Sequence, residues 1–184
     1  MFGLDAAVTH AINAASGRSP FLDWLMVGVS TAAVPLLIAV VALQWWVPRL
    51  RRERDRHTIA VAGLTFSLGL LLNQLVLLFV QRPRPYTVGI THLLSAPSSD
   101  PSFPSDHATA SFAIAAAFLL NGAFRRGAWF ALAALLVSFS RVFIGTHYVS
   151  DVAGGWLTAL LAAIAVTISY RRGTRLDSFV VKLL

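Results

Sequence analysis

Residues 21–47 read FLDWLMVGVSTAAVPLLIAVVALQWWV, a run of 27 residues in which Asp23 is the only charged side chain. At a rise of about 1.5 Å per residue, this run is long enough to cross a hydrocarbon core about 30 Å thick. Four further apolar runs follow, at residues 58–80, 105–124, 128–144 and 148–170. The run at 128–144 is expected to form the shortest span. The pattern predicts an all-α integral membrane protein, a bundle of about five transmembrane helices.

The composition of the whole chain supports a membrane environment. Of the 184 residues, 57% are hydrophobic and only 12% are charged, whereas soluble domains carry about 25% charged residues. The mean hydropathy of +0.70 leaves too few polar side chains to cover a water-facing surface. Because the chain has no cysteine, disulfide frameworks, thiolate metal sites and cysteine nucleophiles are excluded. The length favours a single membrane-embedded domain over residues 1–184.

An amphipathic segment precedes the first apolar run. On a helix over residues 3–16, one stripe collects the apolar side chains Leu4, Ala7, Val8, Ala11 and Ala15. Three polar side chains lie off this stripe: Asp5, His10 and Asn13. Because the segment is too short to span a bilayer, residues 1–18 are predicted to form a helix that lies in the membrane interface.

The basic residues are distributed unevenly between the two ends of the predicted bundle. The formal net charge is +7, which on a soluble protein would suggest a nucleic-acid partner. Here eleven basic residues fall on one side: Arg49, Arg51, Arg52, Arg54, Arg56, Arg125, Arg126, Arg171, Arg172, Arg175 and Lys182. The other side holds four: Arg18, Arg82, Arg84 and Arg141. The positive-inside rule therefore predicts a multi-pass plasma-membrane protein, with the eleven in the cytoplasm and no nucleic-acid partner.

The side opposite the basic loops carries polar residues that topology does not explain: Arg82, Arg84, Ser105, His107, Arg141, His147 and Asp151. Each one has an ordinary interpretation by itself. His147 could be a hydrogen-bonded core histidine, Asp151 a charge at a helix N-terminus, and Arg82 a lipid-headgroup contact. A non-functional explanation of the whole set requires all of these interpretations to hold at once. Ionisable groups at span ends inside a bundle instead favour a functional site.

The spacing of these residues suits phosphoryl transfer. His147 and Asp151 are four positions apart at the start of the last span, so the carboxylate can orient the imidazole and leave its other nitrogen free to attack. Ser105 opens the third span, where free N–H groups and the helix dipole favour an anion, and His107 lies in the same turn. Arg84 and Arg141 can hold phosphate oxygens with planar guanidinium groups. Such a site needs no metal ion or other cofactor.

Three stretches carry a family resemblance: QRPRP at residues 81–85, FPSDH at residues 103–107, and Ser140-Arg141 followed by His147 and Asp151. They resemble the three signature motifs of the type 2 phosphatidic acid phosphatase superfamily, which includes membrane lipid phosphatases and vanadium haloperoxidases. The resemblance implies a catalytic group of His147 as nucleophile, His107 as acid and base, and Asp151 as its orienting carboxylate. It implies phosphate binding by Arg84, Ser105, Asp106, Arg141 and Arg82.

Two positions depart from the general family pattern. The first motif usually begins with a lysine seven positions before Arg84, where this chain has Leu77. Asn73, Gln74, Gln81 and Arg82 are the nearby polar residues that could substitute for it. The middle motif has Asp106 where glycine is more common, and this variant resembles the bacterial undecaprenyl-diphosphatase branch.

The resemblance therefore implies an enzyme that releases the terminal phosphate of an isoprenoid lipid diphosphate. The expected reaction converts undecaprenyl diphosphate to undecaprenyl phosphate and recycles the cell-wall lipid carrier of a bacterial inner membrane. Residues 81–104 would form the extracytoplasmic active-site loop.

The lipid chain could leave sideways past the small residues Ala108, Ser111, Ala153 and Gly154, although close helix packing explains these as well. Alternative functions are a phosphatidic acid or phosphatidylglycerophosphate phosphatase, or a non-enzymatic anion transporter. The oligomeric state is not predicted.

Overall fold

The computed structural model describes residues 2–47 and 53–182. Within these residues the chain folds into seven α-helices and no β-strand. The helices are α1 (Phe2–Asn13), α2 (Pro20–Leu43), α3 (Glu53–Leu77), α4 (Asp106–Leu120), α5 (Phe124–Phe143), α6 (Val149–Ser169) and α7 (Arg175–Lys182). Short 3₁₀ turns follow α2 at Gln44–Trp46 and lie in the α3–α4 loop at Pro85–Val88. The prediction of an all-α membrane bundle is confirmed.

Four of the helices are long and apolar enough to cross a membrane: α2 with its following turn, α3, α5 and α6. Each predicted apolar run is a helix, but α4 has only 15 residues and a length of about 22 Å. The expectation that residues 128–144 form the shortest span is therefore wrong, since α5 has 20 residues. Ser105 is the N-cap of α4, residues 121–123 form the turn to α5, and Phe124 already belongs to α5, so α4 is shorter than the run.

The short helix α4 is the centre of the bundle and packs against α3, α5 and α6. Many of its side chains are small and buried, among them Ala108, Ala110, Ala113, Ala115 and Ala117. Alanine allows helix backbones to approach closely, and this close contact favours association of helices in a bilayer. Because α4 is covered by its neighbours, its length does not have to match the thickness of the lipid.

The amphipathic helix α1 turns its polar side towards the protein. Leu4 and Val8 of the predicted apolar stripe are 76% and 42% exposed, whereas Thr9 and Asn13 are buried. The Asn13 side chain donates to the carbonyl oxygen of Phe143 at 2.7 Å, and the Thr9 hydroxyl oxygen accepts the Val149 N–H at 3.1 Å. Polar contacts thus hold α1 against the ends of α5 and α6, with its apolar stripe facing outwards.

The basic segments meet at the end of the bundle near the N-terminus of α3. Arg54 donates to the carbonyl oxygen of Gly122 at 3.3 Å, Arg56 donates to that of Val181 at 2.8 Å, and Arg126 pairs with Asp55. The C-terminal helix α7, which the sequence did not predict, joins this end through an Asp177–His57 contact of 2.8 Å. Of the basic residues predicted to be cytoplasmic, Arg49, Arg51 and Arg52 lie outside the described residues.

Candidate active site

A polar cavity of about 290 Å³ lies at the opposite end of the bundle from these basic segments. Its walls come from the C-terminal part of α3, the α3–α4 loop, the first turn of α4, the end of α5 and the α5–α6 turn. The lining residues are Gln74, Leu77, Arg84, Ser98, Asp100, Pro101, Pro104, Asp106, His107, Arg141 and His147. The structure thus brings together both predicted histidines, two predicted arginines and Asp106.

His147 lies in the α5–α6 turn with a fixed imidazole. The turn requires Gly145, because its φ of +84° is left-handed and a Cβ atom there would lie 2.3 Å from the carbonyl oxygen of His92. His147 Nδ1 is 2.8 Å from the carbonyl oxygen of Ser102, so Nδ1 carries the proton and donates it. The unprotonated Nε2 is left on the cavity side, 3.4 Å from Arg84 Nη1.

Asp151 supports His147 from the first turn of α6 and is fully buried. Its Oδ2 lies 3.5 Å from His147 Nδ1, which is longer than the bond from Nδ1 to Ser102. The same oxygen accepts the Tyr148 N–H at 2.8 Å and the Ser102 hydroxyl. The predicted proximity of His147 and Asp151 is present, but a backbone carbonyl shares the task of orienting the imidazole.

Burial is the largest influence on the protonation of His147. It lowers the pKa of this imidazole, and the positive charges of Arg141 and Arg84 lower it further. The Asp151 carboxylate raises the pKa but does not offset these effects. His147 is therefore neutral at physiological pH, which is the state in which Nε2 has a free electron pair.

Two guanidinium groups face the cavity from different elements. Arg84 is anchored by its Nε, which donates to the carbonyl oxygen of Asp100 at 2.9 Å, and by its Nη1, which donates to that of Thr146 at 3.2 Å. Arg141 Nη1 donates to the Ser30 hydroxyl at 2.6 Å, while its buried Nε has no partner among the described residues. Both arginines therefore keep N–H groups for an anion in the cavity.

The first turn of α4 supplies fewer donors than the sequence suggested. The Ser105 N–H donates to the Asp151 carbonyl oxygen at 3.0 Å, so it is not free for phosphate. The Ser105 hydroxyl is buried without a partner among the described residues, and its role in binding phosphate stays a prediction. Asp106 accepts a hydrogen bond from Asn73 at 2.7 Å. As a carboxylate in the cavity wall, Asp106 can contact a phosphate oxygen only through a proton.

Arg82 is not among the residues that line this cavity, and its role in binding the substrate phosphate stays a prediction. Its Nη1 contacts Asp151 Oδ1 at 2.6 Å, and its Nη2 contacts Asp5 Oδ2 at 2.7 Å. Arg82 instead borders a neighbouring, mostly apolar groove of about 610 Å³ together with Phe79 and Phe103. The two arginines of the QRPRP stretch thus make different contacts, although both also line a cavity of about 230 Å³.

The position of the missing family lysine does face the cavity, since Leu77 is one of its lining residues. Among the polar residues that could substitute for the lysine, only Gln74 lines the same cavity. Asn73 is instead bonded to Asp106 and Thr109.

The small residues of α6 are explained by close packing. A Cβ atom at Gly154 would come within 2.3 Å of the Phe103 ring. Ala108 and Ser111 on α4 are fully buried. Gly154, Ala108 and Ser111 thus take part in close packing, whereas Ala153 is exposed, and a lateral exit for the lipid chain stays a prediction.

Three residues that the sequence did not single out complete the site. Ser102 contacts both His147 and Asp151, Ser30 on α2 holds Arg141, and Asp5 on α1 holds Arg82. Ser102 directly precedes the FPSDH stretch at residues 103–107, and this position could have marked it as a candidate site residue. Ser30 and Asp5 had no such signal, because both lie in segments whose spacing indicates only an apolar span or an interfacial helix.

Comparison with known proteins agrees with this geometry. Residues 58–175 match the PAP2 superfamily. The chain belongs to the PAP2 superfamily. The undecaprenyl-diphosphatase BcrC of Bacillus subtilis is 34% identical over 155 residues, which cover 84% of this chain and 78% of that protein. Phosphatidylglycerophosphatase B of Bacillus subtilis is 28% identical over 159 residues, covering 78% and 73% of the two chains.

The fold also agrees with a solved PAP2 structure. A crystal structure of a transmembrane PAP2-type phosphatidylglycerolphosphate phosphatase from Bacillus subtilis superposes with a TM-score of 0.65 at 24% identity, covering 94% of this chain and 87% of that chain. This PAP2 protein is therefore a multi-pass membrane lipid phosphatase.

Proposed function

We propose that this PAP2 phosphatase hydrolyses undecaprenyl diphosphate to undecaprenyl phosphate and inorganic phosphate, and thereby recycles the lipid carrier of cell-wall synthesis. The main support is the position of His147, whose Nε2 lies beside Arg84 while its Nδ1 is held by the Ser102 carbonyl oxygen. A neutral imidazole held in this way is an activated nucleophile facing an anion-binding cavity.

In the first half-reaction, His147 Nε2 attacks the terminal phosphorus in line. The Nε2–P bond forms while the bond from phosphorus to the bridging oxygen breaks, and His107 donates its proton to that leaving oxygen. Arg84 and Arg141 stabilise the charge on the equatorial oxygens. Asp151 stabilises the positive charge that develops on the imidazole of His147.

In the second half-reaction, water displaces the phosphoryl group from the phosphohistidine. His107 is now neutral and takes a proton from this water, as the reversal of its first role requires. The O–P bond forms, the Nε2–P bond breaks, and inorganic phosphate leaves. His147, His107, Arg84 and Arg141 all line the same cavity.

The active site is proposed to face the extracytoplasmic side of a bacterial inner membrane. The cavity lies at the end of the bundle opposite Arg54, Arg56 and Arg126, which the positive-inside rule assigns to the cytoplasm. Residues 81–104 would form the active-site loop within a single domain over residues 1–184. An outward site matches a substrate that is released on the external leaflet.

Two observations support the undecaprenyl substrate, namely the similarity to BcrC and Asp106 in the middle motif. The similarity to phosphatidylglycerophosphatase B favours phosphatidylglycerophosphate as the second candidate. Both reactions would use the same catalytic groups and would differ in the contacts made by the remainder of the lipid.

The test is phosphate release by purified protein in detergent from four lipids side by side: undecaprenyl diphosphate, undecaprenyl phosphate, phosphatidic acid and phosphatidylglycerophosphate. The expected result is the highest kcat/KM for undecaprenyl diphosphate, retained in EDTA because guanidinium groups meet the phosphate charge. A higher kcat/KM for phosphatidylglycerophosphate would overturn the substrate assignment. No release from any of the four would favour the anion-transporter alternative.

Replacing Leu77 with lysine is expected to tighten the binding of inorganic phosphate by roughly tenfold, because one charge-assisted hydrogen bond contributes about 1.5 kcal/mol or more. The measurement is the inhibition constant of phosphate as a competing product. Leu77→Met is the matched control, because it keeps a flexible apolar stem without the charge. Equal inhibition constants for the two variants would show that position 77 does not contact the bound phosphate.

A further inference from the structure

The ion pairs of Arg82 link the N-terminal helix to the centre of the active site. One guanidinium bridges two carboxylates, Asp5 on α1 and Asp151 on α6, at 2.7 and 2.6 Å. The side chains of Arg82 and Asp5 are 16% and 17% exposed, and that of Asp151 is fully buried. Such short, largely desolvated, charge-assisted contacts are stronger than exposed ion pairs.

Asp5 is fixed in this bridge by more than one bond. Its Oδ1 accepts the Ser150 N–H at 3.0 Å, and its Oδ2 accepts the Ser150 hydroxyl at 2.5 Å. Burial opposes ionisation of Asp5, but the hydrogen bonds from Ser150 and Arg82 outweigh it and lower the pKa of this carboxyl. The Arg82 guanidinium also lies 3.8 Å above the Tyr148 ring, which restricts its position from a third direction.

We propose that Asp5 is a positioning residue of the phosphatase reaction, which acts on His147 through Arg82 and Asp151. This inference rests on the proposed function, in which His147 is the nucleophile. Asp5 takes part of the charge of Arg82, so the bridge of two carboxylates and one guanidinium keeps a net negative charge. Asp151 can then stabilise the positive charge that develops on His147 during phosphorylation.

Without Asp5, Arg82 and Asp151 would form a neutral pair and Arg82 would lose one of its anchors. The charged and titratable groups around His147 are Asp151 on α6, Arg84 in the α3–α4 loop, Arg141 on α5 and His107 on α4. Of these, only Asp151 favours the protonated imidazole. Weakening its influence therefore lowers the pKa of His147 and raises the barrier to forming phosphohistidine.

The test uses the full-length protein and the Asp5→Asn variant, with steady-state kinetics from pH 4 to pH 9. We expect kcat to fall by about tenfold with little change in KM, because the interaction is strengthened only as charge develops on His147. We also expect the acid limb of the kcat/KM profile to move to lower pH by about half a pH unit. The acid limb of kcat/KM reflects protonation of His147 in the free enzyme, so a lower pKa of His147 moves the limb to lower pH.

Control variants separate positioning from a loss of folding. Asp23→Asn removes another carboxylate near the N-terminus. Among the described residues, this carboxylate accepts hydrogen bonds only from the Gly17 N–H. The variant should therefore leave kcat and the pH profile unchanged. Asp5→Glu should recover part of the lost kcat. A merely structural role would lower the midpoint of thermal unfolding of Asp5→Asn without moving the acid limb.

A double-mutant cycle tests whether Asp5 acts through Arg82. Arg82→Gln should lower kcat because Asp151 loses the guanidinium that holds its Oδ1. It should move the acid limb to higher pH because it removes a positive charge. Adding Asp5→Asn to Arg82→Gln should then change kcat by less than about twofold. A full tenfold effect in that background, or a wild-type kcat and pH profile for Asp5→Asn in an active enzyme, would overturn the inference. Absence of His147-dependent turnover in the wild type would instead overturn the proposed function.

Discussion

Replacing His147 with alanine is expected to lower kcat by about 10⁴-fold or more, the size of effect that removing a nucleophile has in other covalent mechanisms. The substitution removes the Nε2 atom that faces the cavity beside Arg84. The measurements are phosphate release from undecaprenyl diphosphate and trapping of phosphoprotein with a substrate labelled in its terminal phosphate. Wild-type enzyme should give an acid-labile phosphoprotein, and His147→Ala should give none.

The matched control is His92→Ala, which removes an imidazole from an exposed residue of the α3–α4 loop. His92 contacts Asn13 through its backbone, so this variant should keep wild-type activity. His147→Gln serves as a second variant that retains side-chain volume and a polar group, and comparison of unfolding midpoints shows whether either variant has lost its fold. Near-normal turnover by a folded His147→Ala variant would contradict the assignment of the nucleophile.

The His107→Ala substitution is expected to lower kcat by about 10²- to 10⁴-fold, the usual contribution of a general acid and base. The loss should fall unequally on the two half-reactions. The leaving group of the first step is a phosphate monoester, whose departure depends less strongly on the proton from His107. The second step needs a base to activate water, so the phosphohistidine should accumulate in this variant.

The measurement is rapid-quench trapping of labelled phosphoprotein, in which His107→Ala should show a higher steady-state level than the wild type. Adding His147→Ala to His107→Ala should remove the label completely, and this double variant is the control for labelling at another site. A slow His107→Ala variant with no accumulated phosphoprotein would mean that His107 acts mainly before the covalent intermediate forms.

The candidate catalytic residues could be selected from the sequence because their spacing is local. His147 and Asp151 are one helical turn apart, so any helix beginning near residue 148 brings them to the same face. Ser105 and His107 share a turn for the same reason. The ends of the apolar runs placed both pairs on one side of the bundle, together with Arg84 and Arg141. The structure brings both histidines and both of these arginines into one cavity.

The division of tasks between Arg82 and Arg84 could not be predicted from their adjacent positions. Both belong to one QRPRP stretch, and both guanidinium groups are predicted from the sequence to bind phosphate. The structure turns Arg84 towards the carbonyl oxygens of Asp100 and Thr146, and Arg82 towards Asp5 and Asp151. The path of the α3–α4 loop decides this choice, and no local pattern in the sequence encodes that path.

The membrane-helix bundle and the gathering of ionisable groups at one end could be inferred without coordinates. The length of each apolar run and the distribution of charge between loops are readable locally, and a bilayer constrains every fold through these two properties. The contact of the Ser102 carbonyl oxygen with His147, and that of Asp5 with Ser150, 145 positions away along the chain, are visible only in the folded protein. A hydrogen bond tolerates only a few tenths of an ångström in the distance between donor and acceptor. The partner of a polar group is therefore settled only when distant segments are packed together.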